Sequence, residues 1–87
     1  MIIKTKKKFT KNFEKAPANI KLAFSQRVDI FRNNPFDPLL NNRALSGKYQ
    51  GSRSINITGN WRAIFQEARN YQLVIFETLG THSQLYK

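Results

Sequence analysis

The segment LSGKYQGSRSINITGNWRAIF, residues 45–65, decides how this chain folds. Within it Ile55 and Ile57 alternate with polar residues, which is the period-two pattern of a strand with one buried face. Gly59 and Asn60 follow, and both residue types tolerate the positive φ angles of a tight turn. The segment therefore predicts a β-hairpin.

The length of the hairpin loop follows from the requirement that one face of the hairpin be apolar and the other polar. A two-residue loop at Gly59 and Asn60 would pair Ile57 with Arg62 and place a guanidinium among aliphatic side chains. A three-residue loop, residues 58–60, keeps apolar residues opposite apolar ones and polar residues opposite polar ones. Its pairs are Ile57 with Trp61, Asn56 with Arg62, and Ile55 with Ala63. We therefore expect one apolar face and one polar, cationic face that carries the arginine.

Composition indicates a single folded domain that spans residues 1–87. Apolar residues make up 40% of the chain, and seven Phe, three Tyr and one Trp supply more aromatic surface than a disordered chain carries. There is no cysteine, so disulfides and thiolate metal sites are excluded. One histidine and five scattered carboxylates also argue against a metal site built from protein ligands alone. The lack of cysteine is typical of a cytoplasmic protein.

The charge of the chain is strongly positive. Fifteen Lys and Arg residues against five Asp and Glu give a formal net charge of +10. A polyanionic partner, either nucleic acid or the ribosome, explains this excess, while a solubilising surface or an affinity for membranes are the alternatives. No apolar run reaches the roughly 20 residues of a transmembrane helix, and lysines follow Ile2 and Ile3 too closely for a signal peptide.

Periodicity orders the remaining elements. Residues 1–5 suit a first strand, and Phe9 and Phe13 share one face of a short helix that begins near Thr10. A second helix over residues 18–33 buries a stripe of apolar side chains and ends before Pro35. Residues 36–44 form a loop, residues 66–70 a polar turn, and residues 71–79 a last strand that is apolar on both faces and hence interior.

The expected fold is a two-layer α+β domain of order β-α-α-β-β-β, in which two N-terminal helices pack on one face of an antiparallel sheet. The opposite face would stay open to solvent, and its residues are where function is expected.

Candidate chemistry is limited to His82, several arginines and the aromatics near the C-terminus. No phosphate-binding glycine loop, dinucleotide fingerprint or nucleophile elbow is present, and Glu77 is expected to pair with a neighbouring arginine. These residues suit cleavage of RNA, because the 2′-hydroxyl of the substrate supplies the nucleophile. A histidine can move the proton, an arginine can neutralise the phosphorane, and an aromatic can stack on a base.

Four motifs, in this order and spacing, resemble the RelE/ParE toxin superfamily, and in particular its YafQ-like branch, whose chains end in Gly-Thr-His followed by an aromatic. They are Leu45-Ser-Gly47, Gly51-Ser-Arg53, Gly59-Asn-Trp61-Arg62-Ala-Ile-Phe65 and Gly80-Thr-His82-Ser-Gln-Leu-Tyr86. The resemblance covers nearly the whole chain. It implies the toxin of a type II toxin–antitoxin pair, which enters the ribosomal A site and cleaves mRNA. A cognate antitoxin that wraps and assembles with the toxin is the implied protein partner, and no cofactor or metal is implied.

The resemblance also implies roles for individual residues. His82 matches the catalytic histidine, Arg62 the arginine on the scissile phosphate, and Tyr86 the aromatic that completes the site, while Arg43 is expected to hold phosphate. Arg53 matches a basic position that in many relatives braces the fold. Together with other cationic and amide residues it is predicted to bind RNA; the remaining members of that group are Lys6, Lys7, Lys8, Lys48, Asn56 and Asn60.

Three positions depart from the YafQ-like pattern. That branch has histidines where this chain has Arg43 and Asn56, and an aspartate where it has Asn60. Asparagine does not exchange protons near neutral pH, so a general base is missing or replaced. Two alternatives to the ribonuclease therefore stay open: a ParE-like protein that blocks DNA gyrase without chemistry, and a degenerate relative that binds only ribosome or antitoxin.

Overall fold

The computed structural model describes residues 1–86. In chain order its elements are β1 (Ile2–Thr5), α1 (Lys7–Lys15), α2 (Ala18–Asn33), β2 (Arg43–Ala44), β3 (Arg53–Asn56), β4 (Trp61–Ala68), β5 (Leu73–Thr81) and α3 (His82–Leu85). Short 3₁₀ turns at Pro38–Leu40 and Gly47–Tyr49 flank β2. Within this part of the chain, no helix is long and apolar enough to cross a membrane.

The five strands form one sheet in the order β1-β5-β4-β3-β2. The α+β class and the interior position of β5 are confirmed. The prediction of a wholly antiparallel sheet is wrong at one edge, because β1 runs parallel to β5. The direction of β1 is set by its pairing with β5, which lies about 70 residues later in the chain. The alternation of residues within β1 does not indicate which strand it pairs with.

The predicted register of the β3–β4 hairpin is confirmed. Ile55 pairs with Ala63 and Asn56 with Arg62, and the Ile57 N–H donates to the carbonyl of Trp61 at 2.8 Å. The conformation of the loop differs from the prediction, since neither Gly59 nor Asn60 has a positive φ. The Trp61 N–H instead donates to Thr58 Oγ1 at 3.2 Å, so a side chain helps to close the loop.

Aromatic side chains join the two long helices to one face of the sheet. Phe9 of α1 and Phe24 of α2 both pack on Phe76 of β5, with ring centroids 5.5 and 5.2 Å apart. Phe31 of α2 packs edge-on against Phe65 of β4 at 5.1 Å, and both rings are fully buried. Burial of one such side chain stabilises the folded state by about 1.5–3 kcal/mol. This aromatic cluster therefore contributes much of the packing energy between the helices and the sheet.

Element boundaries follow the sequence closely in α2 and less closely elsewhere. The predicted helix over residues 18–33 is confirmed. The first helix begins at Lys7, not near Thr10, and the Thr10 hydroxyl bonds back to the Lys6 carbonyl from within the helix. The last strand begins two residues later than predicted, because positive φ angles extend the preceding turn through Tyr71. The two-residue strand β2 and the helix α3 were not predicted.

Candidate active site on the far face of the sheet

We call the side of the sheet opposite α1 and α2 the far face. Ile55 and Ala63 belong to the core beneath the helices, so their neighbours Asn56 and Arg62 point to the other side. These two residues lie directly opposite each other and both are half-buried. The hairpin alone therefore sets an amide beside a guanidinium, as the sequence predicted.

Strand β2 adds a second arginine to this face. Arg43 pairs with Ser54, and directly opposite residues of an antiparallel pair share a face, so Arg43 lies on the same side as Asn56 and Arg62. Arg43 is exposed at the sheet edge, whereas Ser54 and its partner Ile64 are fully buried. The far face is consequently only partly open to solvent, in contrast to the expectation of a bare polar surface.

The helix α3 holds His82 at the end of the same hairpin. The His82 N–H donates to the carbonyl of Asn60 at 3.1 Å, and Arg62 pairs with Gly80, two residues before the histidine. Thr81 caps the helix in a reciprocal arrangement with Gln84, in which each side chain accepts from the backbone N–H of the other. The imidazole of His82 is exposed. Backbone pairing thus fixes the histidine and Arg62 at one end of the sheet.

Gly80 lies close to the side chain of Gln84. A Cβ at position 80 would lie 3.0 Å from Gln84 Oε1 and 3.4 Å from the Cβ of Gln84. Any larger residue would push on the side chain that completes the helix cap. A side chain at position 80 would therefore require Gln84 to move by a few tenths of an ångström.

An aromatic row extends from the histidine. The rings of His82 and Tyr86 lie 4.8 Å apart between centroids, and Tyr86 meets Tyr49 edge-on at 5.8 Å. Lys48 lies at the end of this row, with Nζ 5.3 Å from the Tyr49 ring centroid and 3.4 Å from the carbonyl of Leu85, to which it donates. The row offers stacking surface with a cation beside it.

Unpaired polar atoms concentrate on the far face. Among the described residues, three buried side-chain atoms lack a hydrogen-bond partner: Ser54 Oγ, Asn56 Oδ1 and Arg62 Nε. All three atoms belong to the paired strands β3 and β4 and lie on the face opposite the helices. Ser54 was not among the predicted site residues. The only feature of the sequence that places it on the far face is its spacing of two residues from Asn56.

Two predicted site residues take part in structural contacts. Arg53 pairs with Phe65 and so faces the helices, where its Nε donates to Asn42 Oδ1 at 2.8 Å and its guanidinium stacks over the ring of Phe36. Asn60 is exposed in the hairpin loop and contacts His82 through its backbone. These contacts give Arg53 a bracing role.

The lysines that follow β1 lie at the start of α1. Lys6 approaches Glu77 at 3.8 Å, and Glu77 also accepts from the hydroxyl of Ser52 at 2.5 Å. The expected pairing of Glu77 with an arginine is therefore wrong: a bulge after Ile64 shifts the register of β5 there. Lys7 and Lys8 are exposed at the start of α1.

The far face and α3 together carry one imidazole, two guanidinium groups and an aromatic ring. The residues that depart from the YafQ-like pattern supply no further proton-transfer group. Guanidinium groups bind phosphate in a planar, bidentate geometry and keep their charge. The arrangement can bind a phosphodiester, stabilise added negative charge on it and transfer one proton.

The chain matches no protein-family model and no curated protein sequence. Its fold matches solved structures closely. YafQ from Escherichia coli BL21(DE3) superposes with a TM-score of 0.82 at 20% identity, over 98% of this chain and 97% of that one. The YoeB/ParE toxin from Agrobacterium tumefaciens gives 0.77 at 18% identity, over 94% and 99% of the two chains.

A toxin–antitoxin complex is also among the similar structures. The complex RelBE2 from Mycobacterium tuberculosis gives a TM-score of 0.74 at 13% identity, over 93% of this chain and 96% of that one. At such identities the likeness concerns the fold. This chain has the fold seen in YafQ, in the YoeB/ParE toxin and in the RelBE2 toxin–antitoxin complex.

Proposed function

We propose that this chain is the toxin of a type II toxin–antitoxin pair and acts as a ribosome-dependent mRNA endoribonuclease. One observation carries the proposal: the pairing of Arg62 with Gly80 and the bond from the His82 N–H to the Asn60 carbonyl bring a histidine and an arginine to the same end of the sheet. The fold it shares with toxins of solved structure supports the same conclusion.

The proposed reaction is an internal phosphoryl transfer. The 2′-oxygen of one nucleotide attacks the adjacent phosphorus, the bond to the 5′-oxygen of the next nucleotide breaks, and a 2′,3′-cyclic phosphate and a 5′-hydroxyl result. One proton leaves the 2′-hydroxyl and one joins the departing 5′-oxygen. His82 carries one of these transfers, and solvent or substrate carries the other, because no second imidazole is present.

The arginines supply electrostatic stabilisation. Arg62 is half-buried, so its charge acts on the phosphorane through less water than a fully exposed cation would. Arg43 at the exposed sheet edge holds a neighbouring phosphate, and Lys48 adds affinity. Tyr86, 38% exposed beside His82, offers a stacking surface for a base.

The proposed partners are mRNA in the ribosomal A site and a cognate antitoxin, all in the cytoplasm. The net charge of +10 suits a ribonucleoprotein target. The RelBE2 complex, a toxin–antitoxin assembly of the same fold, supports a protein antitoxin that assembles with this chain.

A ParE-like inhibitor of DNA gyrase is the second candidate function. Asn56 and Asn60 stand where the YafQ-like branch has proton-transfer groups, and the site then depends on His82 alone. This thin set of proton-transfer groups permits a protein that binds without chemistry, whereas the Gly-Thr-His ending argues against it. A degenerate toxin that binds only ribosome or antitoxin would share the same surface.

Primer extension on an mRNA translated in a purified system tests the proposal. Discrete cuts that require ribosomes and disappear with His82→Ala and Arg62→Ala, but persist with Arg32→Ala, are expected. Arg32 is a matched control, because it is an exposed arginine at the end of α2, on the helix side of the sheet, where it donates to the carbonyl of Met1. Intact mRNA at concentrations that inhibit gyrase would instead establish the second candidate.

A further inference from the structure

A cleft that is lined by neither Arg43 nor Arg62 lies between α1 and α3. It encloses about 330 Å³ and is lined by α1, by the turn at Gly47–Tyr49, by the start of β4, by the end of β5 and by α3. Neither Arg62 nor His82 lines it. None of its lining residues is acidic and three are lysines, so its charge suits an anionic occupant.

One face of α1 supplies two of those lysines. Lys8, Asn12 and Lys15 recur at i, i+4 and i+7, which places them on one side of the helix. The Asn12 amide is held by a 2.9 Å hydrogen bond to Thr78 Oγ1. Both lysines are exposed. Their ammonium groups are thus available at the rim of the cleft, while the amide between them is fixed.

Aromatic and amide groups line the rest of the cleft. Tyr49 and Trp61 are both half-buried and both contribute to its lining. The Oε1 of Gln84 accepts from the Thr81 N–H, so the orientation of the amide is set and its NH₂ group remains a donor. Lys48 uses one of its three donors on the Leu85 carbonyl and keeps two.

The cleft is continuous with the aromatic row beside the histidine. Tyr49 lines the cleft and also touches Tyr86, which in turn stacks against His82. Leu85 lines the cleft from the same short helix that begins with His82. The aromatic row and the cleft therefore share Tyr49, and no acidic residue lines the cleft.

We infer that this cleft binds a flanking nucleotide of single-stranded RNA, with its base against Tyr49 and Trp61 and its phosphate among the lysines. Aromatic stacking, fixed amides and mobile cations are the combination that single-stranded RNA sites use. An acidic peptide would satisfy the lysines and leave the two aromatic rings without a role, so the lining favours the nucleotide. The inference extends the proposed function but is tested by binding, not by cleavage.

Trp61 gives a direct readout, because it is the sole tryptophan of the chain and lines the cleft. The experiment titrates the His82→Ala variant with a single-stranded oligoadenylate of roughly eight nucleotides and follows tryptophan fluorescence. We expect a saturable change. A matched oligonucleotide without bases should bind about tenfold more weakly and leave the fluorescence nearly unchanged.

Two charge-matched double variants locate the binding. Lys8→Ala with Lys15→Ala removes two cations from the cleft, and Lys11→Ala with Arg32→Ala removes two exposed cations outside it. We expect only the first pair to weaken binding, by about tenfold, and to flatten the slope of log affinity against log salt by about one to two.

Equal weakening by the two pairs would overturn the inference and leave nonspecific charge attraction. A fluorescence change with a glutamate-rich peptide but none with RNA would also overturn it, and would assign the cleft to an acidic protein segment. Circular dichroism verifies that both variants are folded. Since cleavage is absent from the experiment, failure of the ribonuclease proposal leaves its result intact.

Discussion

The Arg62 side chain is half-buried on the far face of the sheet. Its Nε is buried without a partner, opposite Asn56 and beside Gly80. We predict that Arg62→Ala lowers the cleavage rate by about 10²- to 10³-fold, since one preorganised donor to the transition state is lost. Arg62→Lys should recover only part of that loss, because lysine keeps the charge without the planar fork. Single-turnover cleavage in the translation system measures both.

The control for Arg62 is a comparison of stability. Melting temperatures of the two variants should match that of Arg32→Ala, because the Arg62 side chain forms no ion pair in the described structure that the substitution could break. Cleavage that is unchanged in Arg62→Ala would contradict the assignment of the phosphorane to this arginine.

Arg53 should behave in the opposite way. Its hydrogen bond to Asn42 and its stacking over Phe36 hold the loop before β2 against the sheet. We predict that Arg53→Ala destabilises the protein by about 1–2 kcal/mol. Thermal unfolding should show the midpoint falling by roughly 5–15 °C for a chain of this size. The cleavage rate below that midpoint should be unaffected, and normal stability with lost RNA affinity would restore the original prediction of an RNA contact.

The helix α3 acts as an element that positions His82, and its four residues cannot be stable alone. Thr81→Ala removes the cap that Gln84 N–H donates to, which costs about 1 kcal/mol. We predict that this change reduces cleavage more than it lowers the global melting temperature, since the loss falls on the terminal turn. Thr81→Ser keeps the hydroxyl and should retain activity. Equal losses in both variants would show that the cap is not the cause.

The charge of the whole molecule should make salt act in opposite directions on binding and on stability. Affinity for single-stranded RNA is predicted to fall roughly 10- to 100-fold between about 50 and 200 mM salt, as phosphate contacts release counterions. The melting temperature should rise over the same range, because screening relieves self-repulsion in a chain of net charge +10. Fluorescence titration and thermal unfolding measure the two effects, and binding that is insensitive to salt would rule out a phosphate-dominated interface.

Local patterns determined much of this protein. Alternation around Ile55 was sufficient to predict the hairpin register and hence the pairing of Asn56 with Arg62, because a slip of one residue would bury a charge. Periodicity and Pro35 likewise delimited α2. The closing Gly-Thr-His motif indicated His82 as the candidate catalytic histidine. Each of these features is specified by residues that are neighbours in sequence, so the sequence alone could determine them.

Tertiary structure decided the features that depend on distant partners. The parallel edge strand β1, the side of the sheet on which Arg53 lies, the burial of Ser54 and the lysine-lined cleft all arise from contacts between segments far apart in the chain. The stability of these contacts depends on which surfaces pack together. The residue pattern within one helix or strand does not specify its packing partner. The physical reason is that local alternation specifies the faces of an element, whereas packing alone specifies its neighbours.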